Sequence, residues 1–297
     1  METHTSGRTL EGFVQKYATP LSIIGAGIIV AISLSGQPRE ISQNQNSLQE
    51  SVLPSAGVTL PILWGGIGAK LVEAGVIDPA KIEAIYTDRG GFPPDFRKML
   101  EKNANEKIVI TSSNAGYLLN LLWALGLANK NSILEDTSEM MNPAYGGAGN
   151  FASTGGWTLA KGSAMDHYNM HQLITLTDAQ QALVNRVSRN IYRPCCGNST
   201  HFPDCNHGMA MLGLLELMAS QGVIEADMYK VALAVNSYWF PDTYLTIATY
   251  MQQKSIAWKN VSPQEVLEAD YSSASGYRGI SSKVINPQQG QGGGCST

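Results

Sequence analysis

Charge is scarce in this chain and neither sign dominates. Only 15% of the 297 residues are Asp, Glu, Lys or Arg, and 20 bases stand against 24 acids for a formal net charge of -4. The bases are scattered and the sequence pI is near 5.7, so no positive surface is offered to a phosphate backbone and nucleic acid is not an expected partner. No nucleotide loop is present either. Ala160-Lys161-Gly162-Ser163 lacks the Gly-Lys-Ser/Thr order that cradles phosphates. Cysteine is nearly absent, with four in the chain and no C-x-x-C or C-x-x-C-H among them. That excludes c-type haem attachment and the usual redox helix start, and a four-thiolate iron–sulfur cluster would have to recruit Cys295 from the far C-terminus.

Long apolar runs are also lacking, with one exception. Residues 18–35, ATPLSIIGAGIIVAISLS, carry no charge and would rise about 27 Å as a helix, close to the hydrocarbon thickness of a bilayer. The expectation is one N-terminal transmembrane helix through which the protein meets the membrane. Residues 1–17 then form a cytoplasmic segment, since Arg8 and Lys16 precede the run. A cleaved signal peptide is the alternative, because Ala31-Ile32-Ser33 offers small residues for cleavage. The long polar region ahead of the run favours the anchor. Either reading exports the remainder to the periplasm or cell surface, where disulfides persist.

What remains is an ordinary globular composition, 43% apolar, sufficient for a core. Residues 36–57 are rich in Gln, Asn and Ser and read as a flexible tether. Residues 58–270 read as mainly α, a multi-helix domain of packed helical hairpins. From Val58 to Tyr86 the apolar pattern is helical, with Ile67, Leu71, Val72, Ile82 and Ile85 at spacings of three and four. Thr177 with Gln180, and Ser262 with Glu265, have the spacing of capping boxes. A helix running on to Tyr192 is expected after the first of these. Gly75-Val76-Ile77-Asp78 is echoed by Gly222-Val223-Ile224-Glu225, which suggests either a repeat or two similar turns. Residues 137–163 form a long Gly-rich loop pinned by Trp157, and residues 271–297 read as a disordered tail.

Chemistry concentrates between Pro194 and Met211, PCCGNSTHFPDCNHGMAM. The spacing CC-x4-H-x3-C-x-H places Cys195, Cys196, His201, Cys205 and His207 in one short loop that opens a hydrophobic helix. Thiolates and imidazoles in such a set suit a four-coordinate transition metal, zinc or copper. Met211, one turn beyond His207, could add a thioether, although packing explains it more simply. Two other readings stay open. Cys205, at a helix start beside His207, could act as the nucleophile of a thiol-disulfide oxidoreductase with Cys195 or Cys196 as resolving thiol. Alternatively, a disulfide from Cys205 to either neighbour could staple a structural or interaction domain. His167 and His171 form an i, i+4 pair, but the length of the intervening helix separates them from the loop. Glu216, on the apolar helix that follows, is a candidate acid or base, although a solvated stripe with Gly213 and Ser220 explains it more simply. The function expected is metal binding or handling by a membrane-anchored, exported protein, with catalysis unassigned.

Overall fold

A computed structural model describes residues 44–87, 90–101 and 104–285. The expected anchor, the cytoplasmic segment and Cys295 lie outside them. No helix among the described residues is long and apolar enough to cross a membrane. The packed body begins at Gln49 and is mainly α, with one two-stranded sheet.

The first element departs from the helical expectation. Val58–Gly65 is a strand, β1, paired antiparallel with β2, Ala104–Ile110. Its sequence explains this. Leu60, Ile62 and Trp64 alternate inward while Thr59, Pro61 and Leu63 face out, a period of two among residues that fit a pleated surface. Pro61, which has no N–H, falls in the register shift between Thr59 and Leu63. Three short helices follow β1 around the sheet: α1 (Ile67–Glu73), α2 (Pro79–Thr87) and α3 (Pro94–Glu101).

Two helices make the centre of the molecule. α4 (Ala115–Ala128) and α6 (Asn206–Ser220) are rich in Leu, Ala and Met, free of β-branched residues and apolar on nearly every side, as core helices are. They cross in backbone contact. A Cβ on Gly126 would lie 2.0 Å from the Met209 carbonyl oxygen, and one on Gly213 would lie 2.4 Å from that of Leu122. Between them in sequence, α5 (Asp178–Ser188) starts at a complete capping box, Thr177 Oγ1 accepting from Gln180 N and Gln180 Oε1 from Thr177 N. It ends four residues before Tyr192. α7 (Glu225–Trp239) and α8 (Pro241–Gln253) are divided by Pro241 at the first position of α8.

The two echoed turns share geometry but not packing. Gly75 and Gly222 both adopt positive φ, 79° and 76°, closing the preceding helix as glycine commonly does. Ile77 is fully buried whereas Ile224 is 63% exposed, so the resemblance is one of turn chemistry.

The body extends beyond both limits that composition suggests. Residues 49–52 are helical with Val52 and Leu53 buried, α9 (Ala274–Ser281) packs Ile280 inward, and Val284, just beyond it, is buried too. Polar sequences carry these segments, but a few apolar side chains in each meet the core. The long loop is pinned as expected: Trp157 is buried, donates through Nε1 to the Val76 carbonyl at 2.9 Å and stands edge-on to Trp123.

Glu216 overturns the solvated-stripe reading. It is fully buried within α6, and Asn131 Nδ2 donates to its Oε1 at 2.5 Å. Burial pushes its carboxyl up to about 8, against smaller opposing effects of the Asn131 and Asn129 amides. The folded protein therefore keeps a proton that the unfolded chain releases near pH 4.5, and this residue's contribution to stability declines as pH rises from there to about 8.

Two outcomes follow from the core. Gly126→Ala should lower unfolding free energy in urea by on the order of 3 kcal/mol; an unchanged midpoint would contradict the backbone contact. Glu216→Gln, which mimics the protonated acid, should stabilise the protein at pH 8 far more than at pH 5. An equal effect at both pH values would show that Glu216 is already ionised in the fold.

Candidate metal centre

The cysteine loop leaves α5 through a pinched neck. Tyr192 and Ser199 form an antiparallel bridge, and the Ile191 carbonyl accepts from both Thr200 N, at 2.7 Å, and Thr200 Oγ1, at 3.1 Å. The loop ends at Cys205, whose extended backbone (φ -124°, ψ 166°) immediately precedes α6. From the side, Ala274 N donates to the Cys196 carbonyl at 2.9 Å, and Ser153 N, from the long Gly-rich loop, donates to that of Asp204 at 3.1 Å. Fixed at both ends and from two neighbouring segments, the loop holds its side chains in place.

Its interior is filled by Arg193, only 1% exposed. Nε donates to Cys205 Sγ at 3.0 Å, Nη1 to the carbonyls of Asn198 (3.1 Å) and Ser199 (2.7 Å), and Nη2 to the Phe202 carbonyl (3.0 Å) and to Asp204 Oδ1. Each of the five guanidinium N–H groups thus has one acceptor. Burial alone would weaken the charge, but Cys205, Cys196, Asp204 and Cys195 outweigh it and keep Arg193 cationic. Asn198 Nδ2 takes the other Asp204 oxygen at 2.8 Å. Gly208, in the first turn of α6, makes room for this group: a Cβ there would lie 2.5 Å from Arg193 Cζ.

The sulfurs gather around this cation. Cys195 Sγ lies 3.5 Å from Cys205 Sγ, well beyond the roughly 2.05 Å of an S–S bond. No cysteine pair among the described residues is bonded. One ring nitrogen of His207 completes a group with these two sulfurs, all within 4.8 Å of one another. Cys196, Asp204 and Cys205 form a second such group sharing Cys205. Cys196 Sγ lies 3.9 Å from Asp204 Oδ1. The strongest single influence on its thiol, contact with Cys195, lowers its pKa, but Cys205 and burial prevail and push it up to about 11.

His207 is 6% exposed and packs against the Phe240 ring at 4.4 Å. Burial depresses it to about 4, with Cys205 raising and Arg193 lowering it by less, so the ring is neutral at physiological pH, the form that ligates metals. Its Nδ1 is buried with no hydrogen-bond partner among the described residues. Such an atom is costly to bury alone.

His201 sits apart. Its Nδ1 is 2.8 Å from Glu139 Oε2, and it groups with Glu139, from the long Gly-rich loop, and with Asp136, just ahead of that loop. Hydrogen bonds from the Ser138 side chain and backbone hold the Asp136 carboxyl below its usual range. Met211 is buried in the core. His167 and His171 face each other, Nδ1 to Nε2 at 3.1 Å, with His167 Nε2 against the Lys161 carbonyl at 2.9 Å.

Arg193 and Asp204 were not legible as site residues from the cysteine pattern. The available signal is position: they are the only Asp, Glu, Lys or Arg between residues 190 and 215, one at each end of the loop. Comparison with protein families, curated proteins and solved structures finds no match, so the chemistry of the site rests on its geometry.

Arg193→Lys cannot reproduce five directed bonds, and it should destabilise the protein by about 3 kcal/mol. Hydrogen exchange should show protection lost across residues 198–204 while α4 keeps its own. Unchanged protection in the loop would contradict the organising role of Arg193.

Proposed function

We propose that this protein binds a transition metal, zinc or copper, through Cys195, Cys205 and His207. The observation that carries the reading is the buried, neutral His207, with an unpartnered Nδ1, grouped with two thiols. Two thiolates and an imidazole form a soft to borderline donor set, suited to zinc or Cu(I) and unsuited to Mg²⁺ or Ca²⁺, which require oxygen ligands. The spacing supports it too. Metal–sulfur bonds of about 2.3 Å to sulfurs 3.5 Å apart subtend about 100° at the metal, near the tetrahedral angle. Cys196, next to Cys195 and grouped with Cys205, is placed to supply a fourth ligand. Arg193 then acts from outside the ligand set. Its Nε–H orients Cys205 Sγ, as outer-shell donors orient metal ligands, and its charge is balanced by Asp204.

The role we infer is metal binding or handling. The apolar segment 18–35 supports a membrane-anchored, exported setting as part of the same proposal.

The test is a competition titration of chelator-free, reduced protein against chromophoric zinc and Cu(I) ligands. We expect one tight site per chain. Cys205→Ser and His207→Ala should each weaken it by about 100-fold or more, while His201→Asn, remote from the thiols in this reading, should change it by less than about threefold. Retained helical circular dichroism separates ligand loss from unfolding. Equal affinity in the wild-type and Cys205→Ser proteins would overturn the proposal, as would the absence of binding at micromolar metal.

A further inference from the structure

We propose that Cys195 and Cys205 are also a site of reversible oxidation, closed to a disulfide by a peroxide, and that closing it discharges the metal. The oxidation stands on the geometry of the pair; only the discharge rests on the metal reading.

The two sulfurs are already 3.5 Å apart across a ten-residue separation, with the pinched neck fixing the loop between them. Little backbone movement is then needed to reach bonding distance. Their exposures differ in a useful way. Cys205 is 4% exposed, whereas Cys195 is half-buried and within reach of a small solute. Cys195 is therefore the point of entry and Cys205 the resolving thiol. The Arg193 Nε–H donates to Cys205 Sγ at 3.0 Å and so holds in place the sulfur that makes that second step. Cys196, the competing neighbour, contacts the Asn198 carbonyl and Asp204 Oδ1 with its sulfur, whereas the Cys195 sulfur faces Cys205 at 3.5 Å.

The chemistry balances in two displacements. The Cys195 thiolate attacks one oxygen of hydrogen peroxide, the O–O bond breaks, and hydroxide leaves behind a sulfenic acid. The Cys205 thiolate attacks that sulfur, the S–S bond forms, the S–O bond breaks and a second hydroxide departs. Two thiolates are oxidised by two electrons and one peroxide is reduced. Both sulfurs lose the negative charge that held the metal, and His207 alone is a poor site. A thiol reductant restores the dithiol by exchange.

The experiment adds hydrogen peroxide in sub-stoichiometric steps to the full chain loaded with one zinc ion. Three quantities are read: intact mass, non-reduced peptide maps and zinc captured by a chromophoric chelator. We expect loss of two hydrogens per chain, a Cys195–Cys205 linkage, about one zinc released per disulfide formed, and reversal by dithiothreitol. The Cys195–Cys205 linkage and its reversal by dithiothreitol should persist in Cys196→Ser. A linkage of Cys205 to Cys196, or thiols that oxidise without pairing, would overturn the proposal. Disulfide formation with zinc retained would overturn the discharge alone. The linkage forming in a chain that never took up zinc would support the oxidation site and sink the metal reading.

Discussion

The buried cation Arg193 organises the cysteine loop. A guanidinium removed from water costs several kcal/mol unless its charge and all its donors are met, and Arg193 is met completely, by three carbonyls, a carboxylate and a sulfur. That requirement turns the carbonyls of Asn198, Ser199 and Phe202 inward, and so sets the course of the loop. It also draws Cys205 to one edge of the guanidinium and Asp204 to another. The thiols are thereby concentrated in a poorly solvated space beside a compensated charge. In water a loop of this composition would sample many forms; around Arg193 it takes one.

The loop needs a fixed platform, which the central helices supply. Gly126 and Gly213 let α4 and α6 meet backbone to backbone. This contact positions the N-terminus of α6, and with it Cys205 and His207. Gly208 serves the same end by clearing the place of the guanidinium above the first turn. The Glu216 carboxyl lies further along the same helix, held by Asn131 and kept protonated by its burial. One helix thus carries one side of the Cys/His cluster and a buried acid, both dependent on the close packing of α4.

Much of this was legible in the sequence because it depends on local rules. The Thr177–Gln180 capping box, the glycine turns at Gly75 and Gly222 and the cysteine loop at the start of an apolar helix all follow from short-range spacing. The misread elements depend on distant partners. β1 resembles a helix by apolar content, and only its alternation around Pro61, satisfied by β2 more than forty residues later, makes it a strand. The place of His201 is likewise set at long range, by Glu139, 62 residues away. Glu216 looked like a surface charge because Asn131, which shields it, is 85 residues distant. Arg193 was hidden for a similar reason: one arginine among scattered bases gives no sign that the chain will fold around it.

The central claim is that Cys195, Cys205 and His207 converge on one metal ion. X-ray absorption at the zinc edge, on protein loaded with one equivalent of zinc, tests it most directly. The account predicts at least two sulfur neighbours at about 2.3 Å and an imidazole nitrogen at about 2.0 Å, with one sulfur lost in Cys205→Ser. A shell of nitrogen and oxygen alone, or a sulfur count indifferent to that substitution, would contradict it.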